Sequence, residues 1–313
     1  MNGRSVVATA PGKMILLGEH SVVYGKPAIA LAIDRRFKCT VSRSDELLVN
    51  GHRASSSIAH PHIRSILKDN SVPNVSIDAD SSIPTSSGLG SSAALSASVS
   101  MAVRTLYGKE VSEELVANDA FLAEYTAQGR ASPMDTSVCT HGLGVALNCP
   151  GGKHLWTISK GDNTWDVSEI EVPKMTFVVG YTGIHAPTGP IVERVRKYKE
   201  HNRFASDIID EIGDITLEGM ECVASNDREG LGRIMTYDHK LLSILGVSCD
   251  ELNKLVNASL PYSSGAKLTG SGGGGSMIAL TDRPEKVCEA IALRGGKPMI
   301  VHTGEPGVRL ESC

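Results

Sequence analysis

The hydrophobic pattern changes character near Lys174, and this change constrains the fold more than any other feature of the chain. Before it, short apolar segments alternate with glycine, proline and charged punctuation: Val6–Ala10, Ile15–Leu17, Ala28–Ile33, Phe37–Ser42 and Leu47–Asn50. The pattern predicts a helix over Pro61–Asp69 and a strand over Asn74–Asp78. A helix after Gly90 follows, with Leu95, Val99 and Leu106 at helical spacing, then one from Ser112 to Gln128. Strands follow around Gly144–Asn148 and His154–Ser159. Beyond Lys174, one strong strand at Met175–Tyr181 leads into helices near Pro190–His201, Ala205–Ala224, Arg228–Leu245 and Cys249–Leu260. Ser248 and Glu251 are spaced as a capping box for the last of these. Strands at Ala266–Thr269 and Ser276–Thr281, a helix at Pro284–Leu293 and a final strand at Pro298–Thr303 close the chain. Such an order implies an α+β protein of two closely packed domains, 1–174 and 175–313.

Two glycine-rich stretches interrupt these elements. In IPTSSGLGSSAALSA (83–97), glycines at 88 and 90 precede a helix that starts near Ser91. The first amides of a helix are unpaired and carry the positive end of its dipole, so such a turn can cradle a phosphate. Ser91 and Ser92 can cap the helix, bond to phosphate or ligate Mg²⁺; an ordinary serine-capped helix accounts for the same residues. In KLTGSGGGGSMIAL, five of the six residues at 270–275 are glycine, with strand-like segments tight on both sides. A flexible linker seldom sits so deep inside a domain. A close backbone approach to a ligand, or to the other domain, explains the run better.

Polar residues gather at the ends of apolar segments in APGKMILLGEHSVVYGKPA (10–28): Lys13 after a Pro-Gly turn, Glu19 and His20 at another glycine. Glu124 lies within the Ser112–Gln128 helix, and Asp135 follows in RASPMDT. A phosphotransferase acting on an alcohol needs a carboxylate for Mg²⁺ and a group to take the hydroxyl proton. The Walker and protein-kinase signatures are missing, and the segment after GSGGGG reads as a strand, which a dinucleotide-binding turn does not allow.

Together, PGKMILLGEHSVVYGKPA, IPTSSGLGSSAA and KLTGSGGGGSMIAL resemble the three ordered signature motifs of the GHMP kinases, the galacto-, homoserine, mevalonate and phosphomevalonate kinases. Within the family the first motif, with GEHSVVYG, most resembles the mevalonate kinases, and the SPMD segment is similar to the S-P-x-D of those of archaeal type. The resemblance implies a mixed, ribosomal-protein-like α/β domain followed by a ferredoxin-like α+β domain with extra helices. It implies ATP- and Mg²⁺-dependent phosphorylation of the primary hydroxyl of mevalonate to 5-phosphomevalonate. ATP phosphates would be wrapped by Pro84, Thr85, Ser86, Ser87, Gly88, Leu89, Gly90, Ser91, Ser92 and Ala93. Ser92 and Glu124 would hold Mg²⁺, Asp135 would be the catalytic base, and Lys13 the cation beside it and the transferring phosphoryl group. Lys13, Glu19, His20, Asp135, Thr188, Gly272 and Gly273 would face the alcohol and close its site. The chain departs from the family at Ser86, where glycine is usual; a positive φ there would strain a serine.

Another small-alcohol kinase of the family, for a phosphorylated mevalonate or a sugar, is the nearest alternative. A phosphorylated substrate needs extra basic groups, and Arg194, Arg196, Lys197 and Lys199 are candidates on a helix that also carries Glu193 and Glu200. A nucleotide-binding regulator without catalysis would not need Lys13, Glu124 and Asp135. Net charge is −4 and aromatics are 4%, which argues against nucleic acid as a partner. No apolar run is long enough for a membrane span. Seven scattered cysteines without a C-x-x-C pair, and an N-terminus without a signal-peptide core, predict reduced thiols in the cytoplasm. A homodimer is compatible with the sequence. His60 and His62 are spaced as a metal pair, with no further ligand at useful spacing.

Overall fold

The computed structural model describes residues 5–54, 56, 58–85, 87–129, 131–185 and 188–312. Ser86 lies outside them. β1 (Ser5–Leu17) and β2 (Ala28–Arg43) form a long antiparallel pair, each merging two of the expected short strands. Pro11 lacks an amide to donate, and the ladder shifts register between Pro11 and Gly12 rather than ending there. β3 (Leu48–Val49) and β4 (His52–Arg53) make a small extension at one end of the sheet. α1 (Pro61–Asp69) matches its predicted span, and β5 (Val75–Ser81) pairs with the later half of β2.

α2 (Ser91–Leu106) lies against β1 and β2 and buries Ala93, Ala94, Ala97 and Ala102. Such small side chains let the helix axis approach the sheet closely, which brings the glycine turn before it onto β1. α3 (Glu113–Gln128) is capped by Ser112, whose Oγ accepts the Leu115 amide at 3.2 Å. α4 (Met134–His141) was not expected, because MDTSVCTH contains few strong helix formers. Burial of six of its eight residues, from Met134 to Thr140, supplies what propensity does not.

β6 (Gly144–Leu147) pairs with the early half of β2, and β7 (Lys153–Lys160) forms a hairpin with β8 (Asn163–Ile170). β8 was also missed, although Gly161 (φ 61°) and Asp162 make a two-residue turn between Trp156 and Trp165, both buried.

The second sheet is antiparallel throughout. β9 (Thr176–Tyr181) leads into α5 (Thr188–His201), α6 (Arg203–Ala224), α7 (Arg228–Ile244) and α8 (Asp250–Ser259). β10 (Gly265–Thr269), β11 (Ser276–Leu280), α9 (Pro284–Ala292) and β12 (Lys297–His302) follow. Sheet order is β10-β11-β9-β12, the ferredoxin-like arrangement with the long helical crossover inserted after its first strand. The expected capping box on α8 is not formed: Cys249 is the N-cap, and Ser248 Oγ donates to Asn253 Oδ1 at 2.7 Å instead.

β12 is not the last strand. Beyond Thr303 the chain returns to the first sheet, where β13 (Arg309–Glu311) pairs with Val7–Thr9 of β1. Short and mostly exposed, RLE carries no apolar alternation that would reveal it. Arg36 holds this return through the carbonyls of Pro306 and Gly307, each at 2.8 Å. One apolar cluster joins the two halves, linking Met14, Leu31 and Ala97 of the first with Phe177, Met235 and Ile278 of the second.

Candidate active site

The site forms where β1, the glycine turn before α2, and the N-terminus of α4 meet. Lys13 lies mid-strand in β1, paired with Ala32, and its side chain is only 3% exposed. Its Nζ reaches Asp135 Oδ2 at 2.8 Å. Asp135 sits in the first turn of α4 and is 40% exposed, so the ion pair runs from the interior to an accessible carboxylate. The Lys13 amide also donates to the Leu89 carbonyl at 2.9 Å, tying β1 to the glycine turn.

The two glycines of that turn have different physical roles. Gly88 (φ 79°) faces open space, and a Cβ there would meet only the Thr269 carbonyl oxygen at 3.8 Å. Gly90 (φ 76°) is pressed on the Lys13 stem: a Cβ would lie 2.6 Å from Lys13 Cγ. Gly90 is also the N-cap of α2, and no side chain among the described residues caps the helix. Of the roles open to Ser91 and Ser92, capping is not the one taken, and the first-turn amides are left for a ligand. Ser87 Oγ donates to the Pro84 carbonyl at 2.7 Å, bracing the turn internally. From the other half, Ser276 Oγ donates to the Ser87 carbonyl at 2.7 Å.

Glu124 projects from α3 behind the turn, its side chain 8% exposed. Gln128 donates its amide to Oε2, while Oε1 is buried without a hydrogen-bond partner. Burial pushes this carboxyl up, but the adjoining His62 and Ser92 side chains and the charge of Lys13 hold it below the usual carboxylate range. An ionised, half-satisfied carboxylate beside a serine hydroxyl suits a hard divalent cation, and the uncapped helix end suits phosphate. The residues present thus fit both groups.

Further along β1, Gly18 (φ 94°) packs so closely on the start of β2 that a Cβ would lie 2.5 Å from Ala28 Cα. Glu19 and His20 follow this crossing. His20 is held at φ 63°, and its Nε2 donates to the Ser271 carbonyl at 3.0 Å. Burial pushes its pKa down to about 4, so the ring is neutral. Thr188, exposed at the start of α5, donates from Oγ1 to Ser271 Oγ at 3.3 Å. Ser271, which sequence reasoning passed over, therefore joins His20 and Thr188.

Glu19, expected to face the alcohol, is buried and bound by Lys267, whose Nζ also lies 3.0 Å from Asp238 Oδ2. All three side chains are at most 1% exposed. Burial raises Glu19 to about 7, opposed by Lys267 and reinforced by Asp238; Asp238 is raised mainly by burial too. Both partners left a trace in the sequence. Lys267 is a charge inside an apolar strand, and Asp238 shares a helix face with Met235, Leu241 and Leu242.

The glycine run has a close approach to its own domain. At Gly272 (φ 79°) a Cβ would lie 2.0 Å from the Val247 carbonyl oxygen, and the Gly273 amide donates to that oxygen at 2.7 Å. Gly272 and Gly273 thus meet the segment after α7, and Ser271 between the glycines carries the polar contacts. His60 is exposed ahead of α1 and apart from the site, whereas His62 faces Glu124.

Family models for the GHMP kinase N-terminal and C-terminal domains match residues 57–143 and 220–296. Mevalonate kinases of Pyrococcus furiosus and Thermococcus onnurineus are 34% and 35% identical to the chain, each alignment covering 98% of both proteins. The chain is a GHMP kinase. Its fold superimposes on L. major mevalonate kinase in complex with R-mevalonate with a TM-score of 0.82, at 25% identity over 95% of each chain. Lactococcus lactis galactokinase complexed with galactose shares the fold at a TM-score of 0.75 and 16% identity, covering 98% of this chain and 95% of that one. The ordered glycine motifs of this GHMP kinase coincide with the turn before α2 and the loop between β10 and β11.

Proposed function

We propose that this GHMP kinase transfers the γ-phosphoryl group of ATP to the primary hydroxyl of mevalonate, giving 5-phosphomevalonate and ADP. The observation that carries the reaction type is the Lys13–Asp135 pair, 2.8 Å apart beside an uncapped helix N-terminus. The end-to-end similarity to archaeal mevalonate kinases supports the choice of alcohol.

In this reading the free amides of α2 and the turn at Gly88 hold the ATP phosphates. Ser92 and Glu124 hold Mg²⁺, which when bound neutralises phosphate charge. Asp135 takes the hydroxyl proton as the new oxygen–phosphorus bond forms and the bond to ADP breaks. That proton leaves late, because the transition state is loose, so orientation of the hydroxyl matters more than base strength. Lys13 faces charge on the moving phosphoryl group. Its stem is clamped between β1 and Gly90, so little reorganisation accompanies the reaction. His20, Ser271 and Thr188 form the polar wall for the substrate, with His20 neutral and able to hydrogen-bond without bringing charge.

A phosphorylated substrate finds little support. Arg196 is committed to Glu193 and Glu200, Arg194 donates to the Gly246 carbonyl, and Lys199 lies over the Tyr24 ring at 4.8 Å. Cytoplasmic residence fits the free state of the six described cysteines and the lack of a membrane-spanning helix among the described residues. The deciding experiment is ADP release measured with mevalonate, its phosphates, galactose and homoserine. Mevalonate should give the highest kcat/KM, and a strong preference for any of the others would displace this assignment.

A further inference from the structure

We propose that His62 is a third protein group at the divalent-cation position, its Nε2 acting as a nitrogen ligand opposite Glu124 Oε1. The site then takes a transition cation such as Co²⁺ or Mn²⁺ more tightly than Glu124 and Ser92 alone allow. This rests on the assignment of Glu124 to the cation given above and extends it to a residue on a different helix.

Three observations meet here. His62 lies in the first turn of α1, which packs on α3, and points at Glu124. Its Nε2 and Glu124 Oε1 are both buried, and neither has a hydrogen-bond partner. The two atoms face each other at 3.7 Å, beyond hydrogen-bond reach. A pair of buried polar atoms left open toward one another is unusual in a folded protein and points to a missing common partner. The spacing fits that partner: ligands about 2.1 Å from one ion stand roughly 3.0–3.7 Å apart as their angle opens from a right angle past 120°.

The donor set decides the kind of ion. Among the described residues, no group of three or more His, Cys, Asp or Glu side chains is arranged around a metal position. The protein therefore offers at most one carboxylate, one hydroxyl and one imidazole here, leaving other positions to phosphate oxygens and water. Carboxylate, hydroxyl and phosphate suit Mg²⁺, whereas an imidazole adds most for later first-row ions. His62 thus tunes which cation the kinase prefers while leaving Mg²⁺ usable.

The test is direct detection of the nitrogen. Electron spin-echo modulation of the protein–Mn²⁺–ADP complex, with ¹⁴N- and ¹⁵N-histidine, should show a histidine nitrogen coupled to the metal. That coupling should vanish in His62→Ala and in His62→Gln, with circular dichroism confirming that both variants fold. Calorimetric titration with ADP present should show Co²⁺ affinity falling at least about tenfold in His62→Ala, and Mg²⁺ affinity falling less than about threefold. No histidine coupling in the unmodified protein overturns the proposal, as does an equal fall for both ions, which would mean that His62 merely steadies Glu124. Glu124→Gln separates the two levels of the argument. If it leaves Mn²⁺ binding intact, the cation position itself is wrong; if it abolishes binding while His62→Ala does not alter it, only His62 is wrong.

Discussion

Replacing Gly90 with alanine should disable the enzyme by moving Lys13, and Gly88→Ala provides the control within the same turn. Both glycines are left-handed, at φ 76° and 79°, so both alanines incur the same backbone cost of about 1–2 kcal/mol. They differ in what the new methyl meets. At position 88 the nearest atom is 3.8 Å away; at position 90, Lys13 Cγ is 2.6 Å away and Cε 3.1 Å. Carbon atoms settle at about 3.5–4.0 Å, so the lysine stem must retreat by about 1 Å. Lys13 is buried, so the shift of its stem carries to Nζ and opens the 2.8 Å contact with Asp135. A misplacement of about 1 Å at reacting groups costs roughly a hundredfold, or about 2.7 kcal/mol of barrier. In a coupled ADP-release assay, Gly90→Ala should lose about a hundredfold in kcat. Gly88→Ala should act through ATP, raising its KM and lowering kcat by less than about tenfold. Melting temperature should fall in both, and further in Gly90→Ala, where overpacking against Lys13 adds about 1–3 kcal/mol to the shared backbone cost. Equal kcat losses would refute the idea that Gly90 exists to pass the lysine stem.

Asp135→Asn and Lys13→Met should each reduce kcat by at least about a hundredfold while calorimetry still detects ATP binding; a fully active Asp135→Asn enzyme would remove the base. Lys267→Met should destabilise the fold by about 3–5 kcal/mol in denaturant melts by stranding two buried carboxylates, and adding Glu19→Gln with Asp238→Asn should restore much of the loss. Because burial raises the Glu19 pKa from 4.5 to about 7 in the folded state, its contribution is complete below pH 4.5 and declines as pH rises through 7. Stability measured across that window should fall, and Glu19→Gln should flatten the slope. His141 lies between Glu113 Oε2 at 2.7 Å and Glu169 Oε2 at 2.8 Å. Burial lowers its pKa, but the two glutamates outweigh that and leave it raised above 6.5. The bonds should therefore stabilise most below pH 6.5 and weaken above the folded pKa, so His141→Gln should cost about 1 kcal/mol at pH 6 and less at pH 9.

Periodic apolar segments and strong caps made most of the fold legible in the sequence. α1 and α3 lie where proline and Ser112 marked them, and the helical block after Lys174 shows its ends within a few residues. α4 and β13 escaped because their stability comes from tertiary contacts: burial among α2, α3 and β1 for the former, an edge pairing and Arg36 for the latter. Of the candidate site, Lys13 and the turn at 84–93 were visible because glycines frame them, whereas Glu124 and Asp135 stood out only through the family resemblance. Lys267 and Asp238 were harder, since a buried ion pair is defined by residues distant in sequence. Their only local signal is charge where the pattern calls for an apolar side chain. His62 had a different signal, its spacing from His60, but the group it faces is Glu124 on another helix.

The return of β13 to β1 sets an order on how this chain comes into being. Thr9 and Glu311 are hydrogen-bonded across 302 positions of sequence. On a ribosome, the free edge of β1 must wait until the segment some 302 positions downstream emerges. Until then Val7–Thr9 presents unpaired backbone groups to any other extended segment. The nascent first half should thus be most prone to mispairing, and most useful to a chaperone, during the interval in which the helical second half is being made.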